Sequence, residues 1–148
     1  MTQLDKKFME IVDNLTLASG CIREDRCVGA IAVKDGEIIA KGVNGDVRGI
    51  SCEQLGYCVR QKQNIPKGTR LEVEYCIHAE QALIINAMNQ GKNLGGSTVY
   101  VSHAPCAICL RLLCESGVVR IVYEKSYPDG FSMELAKKLP VKMEQFKV

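Results

Sequence analysis

The chain has 148 residues, 47% of them hydrophobic and 24% charged, with a formal net charge of +2. That length suits one ordinary domain, and the composition is that of a soluble globular protein. The mild charge excludes the basic footprint of a dedicated nucleic-acid binder, and no apolar run reaches the roughly 20 residues that span a bilayer.

The opening stretch MTQLDKKFMEIVDNL has no long apolar run, so no secretory leader is expected and the cytoplasm is the default location. Within it, Leu4, Phe8, Ile11, Val12, Leu15 and Ala18 fall near helical spacing and predict a helix over 4–18, stopped by Gly20. CVGAIAV (27–33) and EIIAKGV (37–43) read as strands, and the Asp35-Gly36 between them is a hairpin signal. Residues 44–74 are polar, hold two cysteines and carry turn signals at Asn44-Gly45 and Pro66-Lys67-Gly68, with a short helix expected around 52–62. A connection of this length is usually functional or stapled.

The pattern then becomes regular. A helix is expected from about His78 to Asn89, closed by Gly91. STVYVS (97–102) is a strand. Pro105 opens a helix through about Ser116, stopped by Gly117. A strand at 118–123, a helix at 132–139 and a last strand at 141–148 complete the chain. The order of helix, two strands, then alternating helices and strands implies an α/β sandwich.

Eight cysteines are many for this length. Without a leader, metal binding or catalysis is expected ahead of disulfides. His78, Cys106 and Cys109 are good zinc ligands, and three protein ligands leave a fourth position open, as catalytic sites do. His78 and Cys106 would each begin a helix, where the partial positive charge favours thiolates. Zinc can lower the pKa of a bound water from about 16 to about 7. Glu80, two residues past His78, is placed to move protons rather than to bind metal.

H-x-E followed by P-C-x-x-C is the signature of zinc deaminases of nucleobases. On RCVGAIAVKDGEIIAKGVNG, IHAEQALI, YVSHAPCAIC and VYEKSYPDG the chain resembles the cytidine and deoxycytidylate deaminase superfamily, most closely the dCMP deaminases. The resemblance runs over nearly the whole chain. It implies one domain over 1–148 with a cysteine-bearing insertion at about 44–77. The implied fold is a three-layer αβα sandwich around a mixed five-stranded sheet. The implied reaction is zinc-dependent loss of ammonia from C4 of a cytosine nucleotide, dCMP to dUMP, with Glu80 protonating N3 and then the amine. By the same match Asn44 would contact the sugar, Arg26 and Tyr123 would lie near sugar or phosphate, and Ala79 would join the substrate site. A homo-oligomer, dimer to hexamer, is also implied. The chain departs from the family pattern at Ala82, Leu110 and His103, none of which is a ligand.

Cys21, Cys52, Cys58 and Cys76 are candidates for a second, structural zinc that would staple the insertion. Cys27 and Cys114 read as core packing. Two other functions share much of the pattern. A tRNA adenosine deaminase would use the same metal chemistry but needs a positive groove. A deaminase-fold binding protein would have little need for Glu80.

Overall fold

Thr2 starts the first helix. Its hydroxyl accepts from the Asp5 N–H, while the Asp5 carboxylate accepts from the Thr2 N–H at 2.8 Å. This reciprocal cap fixes the start at residue 3. The computed structural model describes residues 1–147. In chain order its elements are α1 (Gln3–Thr16), a 3-10 turn (Glu24–Arg26), β1 (Gly29–Lys34), β2 (Glu37–Val43), β3 (Gly45–Asp46), α2 (Cys52–Leu55), α3 (Val59–Lys62), β4 (Cys76–Ile77), α4 (Ala79–Asn89), β5 (Thr98–His103), α5 (Ala107–Glu115), β6 (Arg120–Lys125), α6 (Gly130–Ala136) and β7 (Lys142–Gln145).

The main sheet has the order β2-β1-β5-β6-β7. β1 runs antiparallel to both β2 and β5, whereas β5, β6 and β7 are parallel. The five-stranded mixed sheet is therefore the one the family resemblance implies. Asp35 and Gly36 both take positive φ, as a tight hairpin between β1 and β2 requires.

Alternation along the strands sorts the core into two layers. On one face Ile31, Val33, Tyr100 and Val122 pack against Phe8, Met9 and Val12 of α1. On the other, Ala30, Ala32, Val99, Val101 and Ile121 pack with Ala79, Leu83 and Ala87 of α4 and Leu110 and Leu113 of α5. These are the three layers of an αβα sandwich. The small side chains of β1 on the second face let α4 lie close. At Gly42 of β2 a Cβ would sit 2.2 Å from the Ala79 carbonyl oxygen, so only glycine admits the first turn of α4 there.

Several boundaries differ from the sequence expectation. α1 ends at Thr16, with Leu17 rather than Gly20 at its C-terminus. Gly20 instead packs on Gly45. The helix expected around 52–62 is two separate turns, α2 and α3, because Gly56 ends the first in a left-handed conformation. Pro105 precedes the N-cap Cys106 rather than opening α5. The helix expected at 132–139 begins earlier, at Gly130, capped by the Asp129 carboxylate on the Ser132 N–H. The last strand is confined to Lys142–Gln145; the end of the 141–148 expectation, Val148, lies outside the described residues.

The segment between β2 and α4 is closed at its base. β3 and β4 form a two-stranded antiparallel ladder, Gly45 opposite Ile77 and Asp46 opposite Cys76. No periodicity marks such a short pair.

Candidate active site

Two helix N-termini meet at the end of the sheet. α4 follows β4 with His78 at its N-cap, and α5 follows β5 with Cys106 at its N-cap. The His78 N–H donates to the Gln81 side chain at 2.9 Å, closing the first turn of α4. The Ala107 N–H of α5 donates to Asp129 at 2.8 Å, and the Ser132 hydroxyl donates to the Pro105 carbonyl at 2.6 Å. Asp129 thus ties the metal loop to the start of α6.

His78, Cys106 and Cys109 come together. Their ligand atoms all lie within 4.8 Å of one another, the one such group of His, Cys, Asp and Glu side chains among the described residues. His78 Nδ1 is 3.6 Å from Cys106 Sγ and 3.3 Å from Cys109 Sγ. In tetrahedral zinc with ordinary bond lengths, nitrogen and sulfur ligands are separated by about 3.6 Å. The donor set therefore fits zinc, with a fourth position left open. A hydrogen bond from Cys109 and the nearby His78 outweigh burial and draw the Cys106 thiol down to about 4. Cys109, as the donor of that bond, is pushed up.

Glu80 lies beside this group and is 4% exposed. Burial raises its carboxyl to about 7, against the opposing charge of His78. A carboxyl of that kind can both take and give a proton near neutrality.

One cavity opens onto this arrangement. His78, Ala79, Glu80 and Cys106 line it, together with Arg26, Asn44, His103 and Tyr127. His103 is pushed down to about 4 by burial and by Lys67, Lys125 and Arg26, which makes it a neutral imidazole among cations. Burial and the same neighbouring cations also lower Lys67. Three cations thus surround His103, which lines the cavity, although the chain as a whole is nearly neutral.

Of the residues singled out in the sequence, Arg26, Asn44 and Ala79 line this cavity with Glu80 and two of the metal ligands. Asn44 already has structural duties. Its side-chain oxygen accepts from the Ser19 hydroxyl and the Val28 N–H, each at 2.7 Å, and its amide donates to the Arg26 carbonyl at 2.6 Å. It fastens the loop before β1 to the end of β2. Tyr123 is not brought to the site. It lies in β6, buried in the core under α4 and α5, and the tyrosines that line the cavity are Tyr75 and Tyr127.

Cys21, Cys52, Cys58 and Cys76 all face the cavity, and Cys52 and Cys76 approach to 3.7 Å between sulfurs. The four do not close into a ligand group as tight as the first. Burial raises Cys21 and Cys76, which keeps both as thiols. All eight cysteines are free, with Cys27 and Cys114 half-buried.

Sequence reasoning missed Glu74, Lys67 and Tyr127. Glu74 Oε1 is 2.7 Å from His78 Nε2, and the Lys67 ammonium lies 5.5 Å from the Tyr127 ring centroid. Only the carboxylate four places before His78 left a trace in the sequence.

The family model for the cytidine and deoxycytidylate deaminase zinc-binding region matches residues 2–125. The chain belongs to this deaminase family. Among its relatives, the deoxycytidylate deaminase of Schizosaccharomyces pombe is 28% identical over 144 residues, covering 96% of this chain and 44% of the yeast protein. ComE operon protein 2 of Bacillus subtilis is 30% identical over 140 residues, covering 93% of this chain and 68% of its own length. The chain therefore spans less than half of the yeast deaminase. Among solved structures, the dCMP deaminase of cyanophage S-TIM5 in complex with dCMP and dUMP superposes with a TM-score of 0.78 at 26% identity, covering 99% of both chains. The family description and the His78–Cys106–Cys109 geometry agree on zinc.

Proposed function

We propose that the chain is a zinc-dependent hydrolase that deaminates dCMP to dUMP and ammonia, with residues 1–148 acting as one deaminase domain. The observation that carries this reading is Glu80, buried beside the three metal ligands and lining a cavity that Arg26 also lines. Zinc held by His78, Cys106 and Cys109 supplies Lewis acidity at the open fourth position. Glu80 would move both protons of the attacking water in turn, the first to N3 as the oxygen adds to C4 and the second to the amine as the C4–N bond breaks and ammonia leaves. Ala79 lines the cavity where the base would lie, and Asn44 would border the sugar. Arg26 lines the cavity and, with the neighbouring Lys67 and Lys125, would suit a 5′-phosphate. Tyr123 has no contact with this cavity and is left out of the site.

Relatives named deoxycytidylate deaminase support the substrate, as does a similar structure holding dCMP and dUMP. A tRNA reading has less support, since a net charge of +2 lacks the strong basic footprint that RNA binding needs. The free thiols suit a reducing cytoplasm, and no described helix is long and apolar enough to cross a membrane. Ile85 and Met88 of α4 and Ile108 and Leu112 of α5 are exposed on neighbouring helices, which supports association with further copies of the chain.

The test is turnover on dCMP, CMP, deoxycytidine and an adenosine-containing anticodon stem-loop, for the parent and for Arg26→Ala. A charged hydrogen bond is worth about 1.5–3 kcal/mol, so losing Arg26 is expected to raise KM for dCMP roughly ten- to a hundredfold and to leave deoxycytidine little changed. Equal effects on both would remove Arg26 from the phosphate. Adenosine turnover without dCMP turnover would overturn the function.

A further inference from the structure

His78 has two ring nitrogens, and the structure gives them different partners. Nδ1 faces the sulfurs of Cys106 and Cys109. Nε2 lies 2.7 Å from Glu74 Oε1. A carboxylate only accepts hydrogen bonds, so Nε2 carries the ring proton and the Nδ1 lone pair is left for a metal. We propose that Glu74 is the positioning residue for the ligand His78, and that Arg60 holds the loop that delivers it. This rests on the zinc reading above.

Glu74 does not share a helix with His78. It arrives at the end of the loop 66–73, just ahead of β4. Arg60, 9% exposed in α3, organises that loop. One of its terminal nitrogens donates to the carbonyls of Arg70 at 2.6 Å and Val73 at 3.3 Å. The other donates to those of Thr69 at 2.6 Å and Pro66 at 3.1 Å. A planar guanidinium can satisfy four carbonyls at once, which a lysine ammonium cannot. The loop is also docked from outside. Gly68 has φ +78°, and a Cβ there would lie 2.5 Å from the Pro128 carbonyl oxygen. The run from Arg60 through the loop carbonyls to Glu74 and His78 Nε2 is continuous. Outer partners of a metal-bound histidine set its tautomer and ring angle, and losing one typically costs 10- to 100-fold in metal affinity.

The test uses the full chain and the variants Glu74→Ala, Glu74→Gln, Arg60→Ala, the double variant Glu74→Ala with Arg60→Ala, and His78→Ala. Zinc affinity is measured by chelator competition. The His78 ring is followed by long-range proton–nitrogen NMR of the zinc-loaded protein, which two histidines in the whole chain keep simple. Glu74→Ala should weaken zinc ten- to a hundredfold and expose the Nε2 proton to rapid exchange, while His103 signals stay put. Glu74→Gln, whose amide oxygen still accepts, should recover part of the loss and keeps the size of the side chain. Arg60→Ala should move zinc affinity the same way, and the double variant should be no worse than Glu74→Ala, since both act through one hydrogen bond. Parent-like affinity and a protected Nε2 proton in Glu74→Ala would overturn the proposal. Additive losses would break the link to Arg60. If His78→Ala keeps parent affinity, the zinc reading itself fails; if it loses zinc while Glu74→Ala does not, only the positioning role falls.

Discussion

Gly42→Ala adds one methyl group where β2 crosses the first turn of α4. The new Cβ would lie 2.2 Å from the Ala79 carbonyl oxygen, 2.4 Å from the Leu83 nitrogen and 2.9 Å from the Leu83 Cα. All three are backbone atoms, so no rotamer change relieves the overlap, and α4 as a whole must retreat. Overpacking of this kind costs about 1–3 kcal/mol or more. For a chain of this size each kcal/mol is about 2–4 °C in Tm, so a drop of roughly 6–12 °C is expected at the upper end. α4 also carries Glu80 and begins at His78. A misplacement of about 1 Å at a reacting centre can cost about 100-fold in rate, so kcat on dCMP should fall even below the melting range. Calorimetry, zinc content and steady-state kinetics measure the three consequences. Gly130→Ala is the control, because a Cβ there meets nothing within 4 Å. If Gly42→Ala melts and turns over like Gly130→Ala, the close approach of β2 to α4 is not what holds the site in place.

Two further outcomes concern Glu80 and Asp5. Glu80→Gln should retain its zinc and its KM while kcat falls about 100- to 10,000-fold, as expected for a lost proton shuttle; loss of zinc, or retained turnover, would assign the shuttle elsewhere. The Arg120 guanidinium, helped by Thr2 and Tyr100 and opposed by burial, holds the Asp5 carboxyl well below the usual carboxylate range. Its stabilisation is therefore fully present above the unfolded value of about 4 and is lost as pH falls toward the lower folded value. Asp5→Asn should cost about 1–3 kcal/mol at pH 7 in urea melts and progressively less near pH 3; a pH-independent difference would show that the charge is not what matters.

The sequence made the metal ligands and Glu80 legible because the chemistry imposes its own spacing. Two ligands one helical turn apart, a proline before them and a carboxylate two residues after a histidine need no tertiary knowledge. The sheet strands and long helices were legible from periodicity. The rim of the cavity was not. Lys67, Glu74 and Tyr127 reach the site through loops that close only when Arg60 gathers carbonyls and Gly68 meets Pro128, and none of this has a period. Tyr123 shows the opposite failure. The family match put it near sugar or phosphate, but strand alternation turns it, like Ile121, into the layer under α4 and α5. Asn44 carried both a turn signal and a family role, and its three hydrogen bonds show why an asparagine suits the end of β2 whatever it does for substrate.

The short ladder between β3 and β4 bears on how this region tolerates change. It brings residues 46 and 76 into register, so the ends of the intervening stretch are already held together. The entropy of closing such a stretch grows only with the logarithm of its length, by about 0.6 kcal/mol per doubling. Residues could therefore be added or removed between Val47 and Lys62 at little thermodynamic cost, provided that Arg60 and the carbonyls it gathers are kept. Lineages could reshape the cavity mouth there while the sheet, the two helix starts and the metal ligands stayed unaltered.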